Sequence, residues 1–368
     1  MSVNASTVSA GDALEVLSAA WDAQDAGALT TSWMLHGRPG VGKTQLVQTL
    51  ADDRGADLYD IRLTTIEPQD LRGLPYYDHA TKKTLWYRPE DLPDTPDRPA
   101  VLFLDELTAA SPYLQPTVYG LLQERRVGRH KLPDSVFVIA AGNTVEDGAV
   151  AYEMGTALSD RLVHLHVKAS AKDWLERYAV DQGLHPAVTA FLRSRPDLLD
   201  TTEEALRRGD MIACTPRSWE RVSQIMHAIN DRRVRDMMVA GTVGIAASAE
   251  FARVADELNA MVTVADLLAT PRAKRVDLYP GTMNGLVGLI YGLVAQTDAD
   301  TLPATIEVMA DLRVLKGDAV ASLPLGELTS FGFELLIRKA LANGLEDGFR
   351  GSTAYAEYAA DRAEAEAL

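Results

Sequence analysis

Cysteine is almost absent from this chain of 368 residues: Cys214 stands alone. An intrachain disulfide is impossible, and a disulfide-stapled secreted scaffold is excluded. Long apolar runs are missing as well. The uncharged stretches Met237–Ala249 and Met283–Thr297 contain Gly and polar residues. Both fall short of the roughly 18–20 apolar residues that a spanning helix needs, so they read as buried helices. The opening MSVNASTVSAGDALEV lacks the basic and apolar regions of a signal peptide. A soluble, cytoplasmic protein without a membrane span is the expectation. There is no excess of positive charge. The 36 Lys and Arg stand against 52 Asp and Glu, a net −16. The acidity is even, with 15 against 23 over residues 1–168 and 21 against 29 over the rest. A protein that grips nucleic acid widely shows a basic face, so nucleic acid is not expected as a partner. No fixed-period repeat and no low-complexity linker interrupts the chain.

What is present is the composition of an ordinary folded protein, 47% hydrophobic and 24% charged. The length points to two or three units. Residues 7–23 predict a helix, with Leu14, Leu17 and Trp21 at helical spacing. Apolar runs predict strands at Ser32–His36, Leu58–Leu63, Val101–Leu104, Ser135–Ala141 and Leu162–Val167. Between them lie helical patterns at Thr44–Ala51 and at Pro112–Glu124, the latter with a kink expected at Pro116. Alternating strands and helices predict an α/β, three-layer core with a parallel sheet over residues 1–168. From about Ser170 the periodicity turns helical, with stripes at 171–180, 186–193, 216–229, 237–258, 283–296, 302–311 and 327–343 and a tail over 353–368. This reads as an all-helical lid at 169–260 and a helical C-terminal extension at 261–368.

The strongest local signal is GRPGVGKT, Gly37 to Thr44, which fits G-x-x-x-x-G-K-[ST] between a strand and a helix. Gly37, Gly40 and Gly42 let backbone N–H groups curl around phosphate oxygens. The start of the following helix adds its positive dipole end. Lys43 is suited to neutralising β and γ phosphates, and the Thr44 hydroxyl to holding Mg²⁺, a hard cation that takes oxygen ligands. Pro39, Val41 and Gln45 complete the nucleotide-binding set. VLFLDEL, residues 101–107, places Asp105 and Glu106 at the carboxyl end of a buried strand, where α/β ligands bind. Asp105 would hold Mg²⁺ through water. Glu106 would orient and deprotonate an attacking water, which marks hydrolysis over transfer to another acceptor.

Asn143 follows the strand VFVIAAG and reads either as a turn residue or as an amide that holds the attacking water or the γ phosphate. Arg161 reads either as a surface partner of Asp160 or as a cation reaching a neighbouring subunit's nucleotide. Arg217 follows Thr215 and Pro216, a capping residue and a first-turn proline. A cation in that first turn opposes the helix dipole and suggests a compensating anion. The segment 76–87, YYDHATKKTLWY, predicts a β-hairpin, and Arg126–Leu132 a second. Tyr76, Tyr77, Trp86 and Tyr87 read as packing the first hairpin on the core, or as a grip in a pore. Arg125, Arg126, Arg129, His130 and Lys131 form a local basic cluster, read as a solvated or subunit-interface face. The histidines lack metal-ligand spacing, and His164 and His166 read as structural. Cys214, Met237, Met238 and Met261 read as core.

In this order the motifs resemble the AAA+ ATPases, and within them the MoxR family. The resemblance covers about residues 10–260. It rests on GRPGVGKT, DIRLTTIEPQDLRGLP at 60–75, VLFLDELTAASPYLQPTVYGLLQERRVG at 101–128 and FVIAAGNTVED at 137–147. ALSDRLVHLHV at 157–167, HPAVTAFLRSRPDLL at 185–199 and TPRSWERVSQI at 215–225 extend it. Leu162 stands where the family has an aromatic. The resemblance implies Walker A at 37–44, Walker B at 101–106, sensor 1 at Asn143, an arginine finger at Arg161, sensor 2 at Arg217 and a hairpin inserted in the second core helix. It further implies an Mg²⁺–ATP-dependent ring, a homo-hexamer, that remodels or activates a protein client as a chaperone. A separate protein with a von Willebrand factor A (VWA) domain would act as adaptor. A nucleic-acid motor on the same fold and a slow nucleotide-state switch are the competing functions.

Overall fold

The computed structural model describes residues 4–144, 156–259, 263–317 and 319–366. Contacts divide the chain into two compact units, residues 1–170 and 171–368. The lid and the C-terminal extension read from the sequence both fall within the second.

The first unit is an α/β layer structure. Its strands are β1 (Thr7–Val8), β2 (Ser32–His36), β3 (Asp57–Arg62), β4 (Pro75–Asp78), β5 (Lys83–Trp86), β6 (Ala100–Asp105), β7 (Arg126–Val127), β8 (His130–Lys131), β9 (Val136–Gly142) and β10 (Leu162–Val167). Six of them form a sheet in the order β1-β10-β2-β9-β6-β3, and every pairing in it is parallel. β2, β6 and β9 are buried along their whole length. That explains their unbroken apolar runs, because both faces of a parallel sheet are covered. Alternate residues serve the two faces. Val101, Phe103, Phe137 and Ile139 pack with Leu17, Trp21, Val47 and Leu50 of the helices α1 (Ala10–Asp25) and α2 (Lys43–Asp53). Leu102, Leu104, Val138 and Ala140 pack on the other face with Val118, Leu121 and Leu122 of α4 (Gln115–Glu124), which follows the short α3 (Pro68–Arg72). Trp21 stacks on Phe137 with ring centroids 5.0 Å apart.

α1 begins three residues later than its periodicity predicts. Thr7 and Val8 pair with His166 and Val167 as an edge strand. Ser9 then caps the helix in a reciprocal capping box with Asp12. Pro116 does not kink a longer helix. It stands in the first turn of α4, where its missing N–H has no intrahelical partner to lose. β4 and β5 form the hairpin expected at 76–87, and β7 and β8 form the second. In the first, Asp78 accepts from the Ala80 and Thr81 amides at the turn. Tyr76 stacks on Tyr87 at 4.3 Å, and the Arg72 guanidinium lies over Trp86 at 4.5 Å. Tyr77, by contrast, is 79% exposed, so it does not pack on the core. The basic cluster is also divided. Arg125 turns inward onto the carbonyls of Pro133 and Val136, and its burial lowers its pKa.

The first unit ends with α5 (Thr156–Ser159) and β10. The second unit is helical: α6 (Ala171–Asp173) leads into a π-helical stretch Trp174–Ala179, then α7 (Pro186–Ser194), α8 (Thr202–Arg208), α9 (Pro216–Ala228), α10 (Arg232–Val243) and α11 (Ile245–Asn259). α12 (Val264–Ala269), α13 (Met283–Ala295), α14 (Leu302–Leu312), α15 (Leu325–Ala342), α16 (Asp347–Arg350) and α17 (Thr353–Glu366) follow. α13 is buried from Gly285 to Val294 and packs on α7, α11 and α15. That packing joins the two stretches expected to be separate. The run Met237–Ala249 is not one buried helix. Gly244, at φ 86°, ends α10, and Met237, Met238 and Ile245 are exposed. Met261 lies outside the described residues. Cys214 is buried, and burial pushes its thiol up to about 11. Among the described residues no helix is long and apolar enough to cross a membrane.

Candidate nucleotide site

The carboxyl edge of the sheet gathers the predicted residues from three strands, and a fourth ends beside them. β2 runs out at His36 into the glycine-rich turn. β6 ends at Asp105, β9 ends at Gly142 just before Asn143, and β3 ends at Arg62 in register with Asp105. The turn needs its glycines for two separate reasons. Gly37 passes so close to β10 that a Cβ on it would lie 2.5 Å from the Val167 carbonyl oxygen. Gly40 and Gly42 take left-handed backbone positions, at φ 84° and φ 101°, which a residue with a Cβ rarely adopts. Gly40 turns the chain back after Pro39, and Gly42 caps α2. Pro39 and Gln45 are exposed, Gly40 is half-buried, and Val41 is buried beneath the turn.

Lys43 is 9% exposed. Its ammonium donates to the carbonyls of Gly37 and Arg38, and to Asn143 Oδ1 at 3.1 Å. Asn143 is fixed in turn by Thr108, whose hydroxyl donates to its backbone carbonyl at 2.9 Å. The Thr44 hydroxyl lies 3.4 Å from Asp105 Oδ2. These two hard oxygens fit a magnesium ion, which keeps several waters and phosphate oxygens and needs few protein ligands. Among the described residues no group of three or more His, Cys, Asp or Glu could hold a metal.

Glu106 occupies a left-handed backbone position, φ 60° and ψ 33°. For a residue with a Cβ this costs of order 1–3 kcal/mol and persists only when the surroundings impose it. Here the Glu106 amide donates to Asp105 Oδ1 at 2.8 Å, and its carbonyl accepts from Ala109 at 2.9 Å. Its carboxylate accepts from the Thr64 hydroxyl and faces Arg62 at 3.7 Å. Asp60, two residues before Arg62 on β3, has its pKa raised by desolvation and then by the Asp105 carboxylate, with Arg62 opposing. Thr64, Arg62, Asp60 and Thr108 were not singled out by sequence reasoning. Arg62 becomes legible only through the register of β3 on β6.

Arg161 stands apart, and Arg217 belongs to the other unit. Arg161 is exposed in the turn between α5 and β10. Leu162, which follows it, pairs with Ser32 at the amino end of β2, whereas the phosphate turn leaves the opposite end. Five strand residues separate the two edges, about 16 Å at 3.3 Å per residue. Arg217 lies in the helical unit, exposed in the first turn of α9, where Thr215 and Ser218 form a capping box. Beside the phosphate turn, His36 Nε2 and His164 Nδ1 are 2.8 Å apart.

A strand–turn–helix phosphate loop, with a polar amide at the end of the neighbouring strand and two acidic residues at the end of the strand beyond it, has the arrangement of a P-loop nucleotide-binding core. Comparison with known proteins sharpens the class. Residues 32–164 match the family model "ATPase family associated with various cellular activities (AAA)". YeaC of Bacillus subtilis, described as uncharacterized, is 33% identical over 118 residues, 31% of this chain and 35% of that protein. ATPase family gene 2 protein homolog B of Bos taurus is 35% identical over 115 residues, 31% of this chain and 12% of that protein. The chain thus spans about a third or less of these relatives. A RuvB variant of Thermotoga maritima has 16% identity and a TM-score of 0.39, covering 80% of this chain and 85% of that one. The α/β unit has the AAA-type P-loop fold over the residues that the family model matches.

Proposed function

We propose that the protein is an Mg²⁺–ATP-driven ring ATPase of the MoxR type that remodels or activates a protein client. The observation that carries the reading is the sheet register. Walker A, Walker B and Asn143 share the carboxyl edge, while Arg161 leaves from the amino edge. A chain built this way carries Arg161 away from its own phosphate turn, and its guanidinium would serve the nucleotide of a neighbouring copy. Each site is then complete only at a subunit interface, and a closed homo-hexamer satisfies every site at once. A VWA-domain adaptor and a protein client are the partners proposed, on the strength of the MoxR resemblance.

The amides of the turn from Gly37 through Gly40 to Gly42 would cradle the phosphates. Lys43 would exchange the carbonyls of Gly37 and Arg38 for β and γ phosphate oxygens, and Thr44 and Asp105 would hold the magnesium ion. Bound there, the ion supplies positive charge against the phosphates. Asn143, set by Thr108 and already in contact with Lys43, would orient the attacking water or the γ phosphate. Glu106 would take the proton from that water once its carboxylate leaves Thr64. Arg161 of the adjacent copy would stabilise charge on the transferring phosphoryl group. The resemblance further assigns Arg217 the role of sensor 2.

The test is Glu106→Gln. It should bind ATP with unchanged affinity and lose turnover by roughly 10²-fold or more; near-wild-type turnover would remove Glu106 as the base. The same variant, loaded with ATP, serves as a trap, with Lys43→Ala as the empty-site control. ATP-dependent retention of a VWA-domain protein supports remodelling. Nuclease-sensitive retention of nucleic acid alone would replace it with the motor.

A further inference from the structure

Two histidines join the phosphate-binding strand to the turn that carries Arg161. His36 is the last residue of β2, next to Gly37, and is 7% exposed. His164 is the third residue of β10. In the register of these parallel strands His36 sits opposite His166, so His164 is its diagonal neighbour on the same face. The two rings stack at 5.1 Å between centroids, 15° from parallel. His164 Nε2 meets the backbone carbonyl of Ser159 at 2.9 Å and the Ser159 hydroxyl at 3.2 Å. A carbonyl only accepts, so Nε2 of His164 carries the proton. In the neutral ring Nδ1 is then an acceptor, and His36 Nε2–H donates to it. The tautomers are thus set in series from the phosphate strand to Ser159.

Ser159 is the last residue of α5, a single turn of helix. Such a turn has carbonyls without intrahelical partners, and its backbone direction depends on what captures them. Arg161 follows two residues later, and its amide donates to the Leu158 carbonyl at 3.1 Å. We propose that His36 and His164 are positioning residues: a relay that fixes the Arg161 turn from the strand leading into the same chain's phosphate loop. The relay spans the gap between the two edges of the sheet, which no backbone bond within one strand can do. The proposal rests on the reading of Arg161 as a residue supplied to a neighbouring copy. It adds that the delivery of Arg161 is set by side chains on the donor's own phosphate strand.

The test uses the full-length chain, with phosphate release at saturating ATP and nucleotide binding measured separately. His36→Phe and His164→Phe should leave ATP affinity within about threefold of wild type and lower kcat by about tenfold. His36→Gln, which still offers an N–H to His164 Nδ1, should keep most of the rate. His36 thus tests the relay without altering β10, should His164→Phe fold poorly. Mixing decides where the defect lies. Phe-variant subunits mixed with Lys43→Ala subunits should regain turnover, because the latter bring intact Arg161 turns to competent phosphate loops. Mixed with Arg161→Ala subunits they should not. The opposite pattern, recovery with Arg161→Ala and none with Lys43→Ala, would place the defect in the Phe variants' own phosphate loop and overturn the relay. Unchanged kcat in both Phe variants would also overturn it. Wild-type turnover by Arg161→Ala alone would remove the underlying reading, whereas a dead Arg161→Ala beside fully active histidine variants would remove only the relay.

Discussion

Glu106 is held in a strained backbone position by groups that have no part in binding phosphate. Its carboxylate is tied to the Thr64 hydroxyl and faces Arg62, a contact that the base must leave before it can reach a water. Thr64→Ala should therefore raise basal ATP turnover by about 2- to 10-fold, the weight of a net hydrogen bond of roughly 0.5–1.5 kcal/mol. Phosphate release at saturating ATP checks this; a fall in rate would mean that Thr64 orients the base and does not restrain it. At Gly37 a side chain has no room against the Val167 carbonyl. Gly37→Ala should weaken ATP binding by tenfold or more, measured by titration with a fluorescent nucleotide. At this scale the residue types that chemistry demands, glycine, lysine, a hydroxyl and paired carboxylates, were legible in the sequence. The groups that aim them were not. Thr64, Thr108 and His36 are ordinary polar residues until strand register sets them beside Glu106, Asn143 and His164.

The elements were legible where one physical cause dominates. Ser32–His36 and Leu162–Val167 occur as strands with the bounds that their apolar runs predict. Misreadings came where local and tertiary causes compete. Thr7 and Val8 left the helical pattern to pair with β10, and Gly244 divided a run that composition alone reads as continuous. Phe137 is 1% exposed between β9 and Trp21. Phe137→Ala should destabilise the α/β unit by about 3–5 kcal/mol, read by urea unfolding. The N-terminus of α7 carries a pH dependence. His185 Nδ1 accepts from the Ala187 amide as the helix cap. Burial first, then His227 and Arg235, lowers its pKa to about 4. A folded pKa below the unfolded value of about 6.5 means the unfolded chain binds the proton first. The helical unit should therefore lose up to about 3 kcal/mol as pH falls from 6.5 towards 4, and none above 6.5. His185→Asn keeps a cap and should flatten this slope in urea unfolding at pH 7.5 and pH 5; an unchanged slope would assign it to another group.

For the whole molecule, alternation of strand and helix was enough to read the α/β core and the helical remainder. The packing within that remainder was not legible. Contacts such as α13 on α7 connect residues about 100 positions apart, and no local pattern announces them. The proposed division of labour between subunits also belongs to the whole molecule: one chain holds the phosphate and the water, and the next chain supplies Arg161. Complementation tests it. Arg161→Ala and Lys43→Ala should each bring turnover to background. An equimolar mixture should restore roughly a quarter of the wild-type rate, the share of interfaces at which an intact phosphate loop meets an intact Arg161 under random assembly. A mixture no more active than its components, or an Arg161→Ala protein as active as wild type, would contradict it.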